Sequence, residues 1–250
     1  EAVSSAKLAQ KKWEKVGIEK RANILNDIGT EIIKQSKEIG TLLSREEGKT
    51  LPEGIGEVVR SGQQFQYYAA SVLRQFGENI ASTREGVSVE MTREPVGVCG
   101  IISPWNFPIA IAAWKAAPAM AFGNAIVLKP ASQTPASAIA LTKIISDQKD
   151  IPEGLFNLVL GGGGTIGHQI SGHPDIDAIS FTGSVNVGQT IYMEAAKTMK
   201  KMQLEMGSKN PLLVMDDADL DIAVACATNG AYGGTGQKCT ASSRLIVHEK

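Results

Sequence analysis

The chain has 250 residues, 43% of them hydrophobic, enough for one large domain or about two modest ones. Lys and Arg number 25 against 26 Asp and Glu, a formal net charge of -1 with no long basic run, which argues against nucleic acid as a partner. Three cysteines with no CxxC pair argue against a disulfide framework or a zinc site and fit a reduced, cytoplasmic chain.

Residues 1–15 suit a short helix, amphipathic and charged, with the features of neither a signal nor a transit peptide. Residues 21–47 suit one longer helix, with Leu25, Ile28, Ile32, Ile39 and Leu42 near one face and Gly48 as its stop. A third helix is predicted from Leu51-Pro52 through Phe76, ending at Gly77. Its aromatic residues Phe65, Tyr67 and Tyr68 are expected in a core. Residues 86–93 alternate apolar and polar, as in a half-exposed strand at a sheet edge that pairs with another subunit.

After Pro95 the texture changes. Residues 95–114 carry no charged side chain and are long enough for a membrane span, but Pro104, Asn106 and Pro108 interrupt them. A strand, a turn and a buried helix fit better, so no membrane is expected as a partner. From here strands and helices alternate: VGVCGIIS, a helix over 108–122, AIVLKP, a helix over 135–147, a strand over 156–160, four glycines and a short helix from Thr165. A strand over 178–181, a helix to Lys200 and a strand over 202–205 follow. Such a run of βα units predicts a doubly wound, Rossmann-like parallel sheet behind amino-terminal helices. The pattern restarts at Gly207 with PLLVM, a helix to Tyr232, a loop holding Cys239, and the strand RLIVH. The expected division is residues 1–206 as helices plus dinucleotide-binding domain, with a hairpin at about 77–95, and 207–250 as the start of a second α/β domain. The chain opens inside a helix pattern and stops just after a strand, so it is expected to be a piece of something longer.

In such a sheet ligands bind at the carboxyl ends of the strands. Four polar segments fall there: SPWNFP, KPASQTP, GGGGTIG and TGSVNVG. The two glycine-rich ones can cradle a phosphate or be plain turns. Lys129, just past a strand end, reads as a ligand contact or as a solvated cap. Cys99 and Cys226 lie in apolar patterns and read as core. Cys239 differs, with Gln, Lys, Thr and Ser around it and Gly233, Gly234 and Gly236 before it. It reads as a reachable nucleophile, with Lys238 beside it. Glu205, at a strand end, reads as a base across a cleft or as an ordinary salt-bridged residue. His168, His173 and His248 have no metal-ligand spacing, and no metal site is expected.

PWNFP, KPASQTP, FTGS, LEMGSKNP and GQKCTASSR, in that order, resemble the NAD(P)-dependent aldehyde dehydrogenase superfamily, over nearly the whole chain. The resemblance implies Cys239 as nucleophile, Glu205 as general base and Asn106 as oxyanion donor. It implies a cofactor site at Ser103, Trp105, Lys129, Ser132, Gly162, Gly183 and Ser184, with Lys129 near the adenosine ribose and Ser184 near the pyrophosphate. A small-molecule aldehyde would be the substrate. Within the superfamily, EMGSKNP followed by GQKCTASSRLIV is most similar to α-ketoglutaric semialdehyde dehydrogenases, which oxidise 2,5-dioxopentanoate, with succinate-semialdehyde dehydrogenase as the rival. A nucleotide-binding protein without turnover and an enzyme acylating coenzyme A are further alternatives.

The chain departs from the family at three points. Many NAD-using members have Glu where this chain has Ser132, so NADP is favoured over NAD. The usual ELGGK reads EMGSK. Members are nearly twice this length, as homodimers or homotetramers, so the 250 residues alone are expected to be inactive. Residues 77–95 resemble the family's oligomerisation hairpin.

Overall fold

The computed structural model describes residues 1–74 and 77–249. The chain begins with a layer of helices: α1 (Ala2–Trp13), α2 (Ile18–Lys34), α3 (Ser36–Glu47) and α4 (Leu51–Val72). The helix expected over 21–47 is therefore two. No apolar residue stands at 35 or 36 to continue the buried face of Leu25, Ile28 and Ile32, and at Gln35 ψ rises to 9°. The restart buries Leu43 and leaves the expected Leu42 38% exposed. A capping box starts α4: Thr50 and Glu53 cap each other's backbone, and Pro52 sits in the first turn where a missing N–H costs nothing. The helix leaves regular geometry at Leu73, and the end predicted at Phe76 lies outside the described residues. Phe65 is fully buried and Tyr68 packs against the core, but Tyr67 is exposed, contrary to expectation. Two residues turn a helix about 200°, so Phe65 and Tyr67 face opposite ways.

These helices approach closely through glycine. A Cβ on Gly29 of α2 would sit 2.6 Å from the Gly62 carbonyl oxygen of α4, and one on Gly54 would sit 2.6 Å from the Gly40 oxygen of α3. A hairpin follows, β1 (Glu78–Ala81) antiparallel to β2 (Ser88–Met91), exposed on both faces.

The centre is a five-stranded parallel sheet. Its elements run β3 (Val98–Ile102), α5 (Ala110–Ala121), β4 (Ala125–Lys129), α6 (Pro135–Ser146), β5 (Phe156–Leu158), α7 (His168–Gly172), β6 (Ala178–Gly183), α8 (Val185–Ala196) and β7 (Lys201–Met206). β5 and α8 stop short of their predicted ends. The strand order is β5-β4-β3-β6-β7. All five positions of β4 are buried, which requires cover on both faces and explains its unbroken apolar sequence. Trp13 helps fix α1 to this core, its Nε1 donating to the Met120 carbonyl at 2.7 Å. The chain winds outward from β3 to β5, then crosses back to β6. The topological switch therefore lies between the carboxyl ends of β3 and β6.

A second, two-stranded parallel sheet follows: β8 (Asn210–Val214) and β9 (Ser242–Val247), joined through α9 (Leu220–Tyr232). No residue of α9 is buried, so Cys226 is exposed rather than in a core. Burial does push the Cys99 thiol up to about 12, as suits an inert packing residue. Among the described residues no helix is long and apolar enough to cross a membrane.

The glycine contacts predict opposite responses to the same substitution. Gly29→Ala forces its methyl against backbone and should lower stability by about 1–3 kcal/mol. Gly56→Ala, where a Cβ meets nothing within 4 Å, should raise it by about 1 kcal/mol. Urea midpoints of the two variants should move in opposite directions; a shared direction would show that helix spacing is not set by these glycines.

Candidate active site

The residues expected in a site, Cys239 apart, lie on or just past the carboxyl ends of the parallel strands; Cys239 lies in the loop between α9 and β9. Ser103, Trp105 and Asn106 follow β3, Lys129 ends β4 and Ser132 follows it. Gly162 lies beyond β5, Gly183 ends β6, Ser184 caps α8, and Glu205 is the penultimate residue of β7. The sheet thus gathers side chains that are a hundred residues apart in sequence.

One cavity of about 330 Å³ lies between the β4 end, the glycine loop and α8, lined by Lys129, Gly163, Gly164, Gly167, Val187 and Ile191 among others. A Cβ on Gly163, Gly164 or Gly167 would meet nothing within 4 Å, so these glycines face open space. Lys129 is 4% exposed, contrary to the solvated-cap reading. Burial lowers its pKa, and its Nζ donates to the Pro130 carbonyl at 2.7 Å. Ser132 Oγ reaches across to the Gly161 carbonyl at 3.3 Å, joining the loop after β4 to the glycine loop. Ser184 accepts from the Val187 N–H at 3.4 Å and opens α8, whose free N–H groups suit an anion. The Ser103 hydroxyl is buried with no hydrogen-bond partner. A glycine-walled groove, a helix start, a buried lysine and an unpaired hydroxyl fit a dinucleotide.

Cys239 stands where two further cavities meet. One, of about 550 Å³, is lined by Cys239 together with Glu205, Lys115, Ser180, Thr182 and Gln203. The other, of about 350 Å³, is lined by Cys239 with Lys49, Arg60, Phe107, Trp114 and Lys238. The cysteine loop is tied down at several points. Asn106 Nδ2 donates to the Gln237 carbonyl at 2.6 Å, while its Oδ1 is buried without a partner. Asn210 Nδ2 donates to the Cys239 carbonyl at 2.8 Å. Glu53 Oε1 accepts from the Gly234 N–H at 2.7 Å, while Glu53 Oε2 accepts from the Thr50 hydroxyl at 2.8 Å. Those two contacts, the Gly234 N–H first, lower the Glu53 pKa. The turn before the cysteine is left-handed from Gly234 to Gly236, and Thr235, at φ 58°, is an uncommon conformation for a non-glycine residue. Cys239 and Glu205 thus share one cavity, and Asn106 is bonded to the cysteine loop.

Sequence reasoning missed Lys115. It is the single charge in the apolar helix α5, and its Nζ donates to Ser180 Oγ at 2.7 Å and Gln203 Oε1 at 3.0 Å. Gln203 Nε2 in turn donates to Glu205 Oε1 at 3.0 Å. Burial lowers the Lys115 pKa to about 8, opposed by the Glu205 charge. The available signal was a lone lysine amid alanines, which polar partners such as Ser180 and Gln203 make tolerable. Among the described residues no group of histidine, cysteine and carboxylate side chains is placed to hold a metal ion.

These features define a Rossmann-like α/β fold with a thiol and a carboxylate lining one cavity. The chain belongs to the aldehyde dehydrogenase family, whose model matches residues 1–250. It is 43% identical over 248 residues to an alpha-ketoglutaric semialdehyde dehydrogenase of Bacillus subtilis, covering 98% of this chain and 50% of that protein. It is 41% identical to an alpha-ketoglutarate semialdehyde dehydrogenase of Haloferax volcanii, covering 99% and 51%. A betaine aldehyde dehydrogenase of Staphylococcus aureus, solved in complex with NAD+, superposes with a TM-score of 0.97 at 35% identity, covering 99% of this chain and 50% of that one. The chain spans about half the length of the curated relatives it matches.

The depressed Lys115 pKa has a consequence for stability. Between about pH 8 and the unfolded value of about 10.4 the unfolded chain holds the proton that the folded chain has lost. Folding therefore gains stability as pH rises through that window, and the penalty is fully present below it. The unfolding midpoint of the wild type minus that of Lys115→Met should rise from pH 7.5 to 10. A flat difference would show that Lys115 is not held in a desolvated setting.

Proposed function

We propose that the whole protein oxidises an aldehyde to a carboxylate with NAD(P)+, with Cys239 as nucleophile, Glu205 as general base and Asn106 as oxyanion donor. The observation that carries this reading is that Cys239 and Glu205 line one cavity at the strand ends, with Asn106 bonded to the cysteine loop. An aldehyde is a poor hydride donor because its carbon bears no oxyanion. Addition of the Cys239 thiolate forms a C–S bond and moves the carbonyl electron pair onto oxygen. The Asn106 amide and the Cys239 backbone N–H are the donors for that oxygen. Collapse of the oxyanion expels hydride and leaves a thioester on sulfur. The nicotinamide, when bound, supplies the two-electron acceptor. Glu205 takes a proton from water, whose oxygen adds to the thioester. The C–S bond then breaks, the thiolate returns and the acid leaves. Gln203, itself held by Lys115 and Ser180, donates to Glu205 and orients it.

The cofactor reading assigns Lys129, Gly162 and Ser184 to the dinucleotide, with Ser103, Trp105 and Gly183 at the strand ends beside it. It is supported by the glycine-walled groove. Ser132 puts no carboxylate where a 2′-phosphate would lie, which favours NADP. The substrate proposed is a semialdehyde such as 2,5-dioxopentanoate, on the strength of the two semialdehyde dehydrogenase relatives; succinate semialdehyde is the rival. We also keep 1–206 and 207–250 as two domains, supported by the five-stranded sheet ending at Met206 and a separate sheet starting at Asn210. A homodimer or homotetramer is part of the proposal, supported by the exposed β1–β2 hairpin. A cytoplasmic setting is supported by three free cysteines.

In the full-length enzyme Cys239→Ala should abolish aldehyde-dependent formation of reduced cofactor, followed by absorbance. Turnover above a thousandth of wild type would sink the assignment. Ser132→Glu should lower kcat/KM for NADP at least ~10-fold relative to NAD, because a like charge is set against the 2′-phosphate. An unchanged ratio would remove Ser132 from cofactor selection.

A further inference from the structure

A buried ion pair sits directly beneath the proposed oxyanion donor. Lys49 lies between α3 and α4, just after Gly48, and its side chain and that of Glu57 are each 2% exposed. Lys49 Nζ donates to Glu57 Oε2 at 2.6 Å and to the backbone carbonyl of Asn106 at 2.9 Å. It stands 4.0 Å from the centre of the Phe107 ring and 3.9 Å from Glu47 Oε2. The other oxygen of Glu57 accepts from the Ile109 and Ala110 N–H groups at 3.2 and 3.1 Å, at the start of α5. The pair therefore holds the loop after β3 twice, once at Asn106 and once where the loop becomes helix.

Such an arrangement is a weak source of stability. Removing two charges from water costs about as much as their attraction returns, and an apolar pair of similar volume is often as good or better. Burial pushes the Glu57 carboxyl pKa up against the pull of Lys49, a sign of that cost. What an apolar pair cannot do is fix a carbonyl direction. The Asn106 carbonyl and side chain leave the same residue, so holding the first orients the second. Phe107, next along, is held from the same nitrogen, which limits rotation of the intervening peptide.

We infer that Lys49, held by Glu57, is a positioning residue that aims the Asn106 amide at the developing oxyanion. The inference rests on the proposed role of Asn106, and it is tested with that role separable. In the full-length enzyme, Lys49→Met is combined with Glu57→Gln, so that the Glu57 charge is not left unpaired and the introduced amide oxygen can still accept from Ile109 and Ala110. Kinetics are compared with those of Asn106→Ala and of the triple variant. Asn106→Ala should lower kcat by about 100- to 1000-fold, as loss of one oxyanion donor does. The Lys49/Glu57 variant should lower kcat by about 10- to 100-fold, the scale of a misplaced group. Its Kd for NADP should stay within about two-fold, since neither Lys49 nor Asn106 lines the glycine-walled groove.

The deciding comparison is the triple variant, which should be no slower than Asn106→Ala by more than about three-fold, because a group acting only through Asn106 has nothing left to position. Multiplied losses in the triple variant, or an unchanged kcat in the Lys49/Glu57 variant, would overturn the inference while leaving the reading of Asn106 intact. Full turnover by Asn106→Ala would overturn both. Lys49→Arg guards against misfolding of the double variant. It keeps the charge beside Glu57, but its longer planar head does not reproduce the Asn106 contact. It should lower kcat in the wild-type background, with the unfolding midpoint retained, and add nothing to Asn106→Ala. Wild-type kcat in Lys49→Arg would count against the inference.

Discussion

The contact on which most of the site depends is the buried pair between Lys49 and Glu57. It joins three parts of the chain that share no strand pairing: the α3–α4 junction, the loop after β3 and the first turn of α5. Neither charge reaches water, so neither can relax outward when the loop moves. The loop that carries Trp105 and Asn106 is thus anchored to the helical layer as firmly as to its own sheet. The close glycine crossings of α2 and α3 on α4 then matter for more than packing, because α4 carries both Glu53 and Glu57 toward the site.

The parallel sheet does the remaining work by topology. Strands that all run the same way deliver all their following loops to one edge, and the reversal of winding between β3 and β6 leaves a crevice there. Dinucleotide-suited features occupy the side of that crevice toward β4, β5 and α8. The thiol reaches the other side from the β8–β9 unit, across hydrogen bonds from Asn106 to Gln237 and from Gly234 to Glu53. Cys239 and the loop bonded to it therefore come from separate sheets, and a few hydrogen bonds set their register.

Much of this was legible in the sequence where one physical signal dominated. β3 and β4 are continuous apolar runs because both faces are covered, and glycine marked the ends of α3 and α5. The break at Gln35 was hidden because Lys34, Gln35 and Ser36 carry no glycine or proline, and the apolar spacing resumes beyond them. Tyr67 and Cys226 were misplaced because hydrophobic character says that a residue prefers burial, not which side of its helix is covered. At the site, the order of motifs gave Cys239, Glu205 and Asn106 their candidate roles. Lys115 and Lys49 were passed over: one interrupts an apolar helix, and the other follows the Gly48 helix stop. Only the fold reveals that each lysine is partnered, one by Ser180 and Gln203 and one by Glu57, Glu47 and the Phe107 ring.

Glu53 joins two events that are usually separate. One of its oxygens closes the cap of α4, and the other holds the Gly234 N–H in the turn before Cys239. Fraying of a first helical turn is ordinarily a local matter with no bearing on chemistry. Here the same motion lets go of the left-handed turn that presents the sulfur. A helix end far along the chain from the cysteine thereby latches the turn before it, and the propensity of residues 50–53 to stay coiled bears on where Cys239 stands.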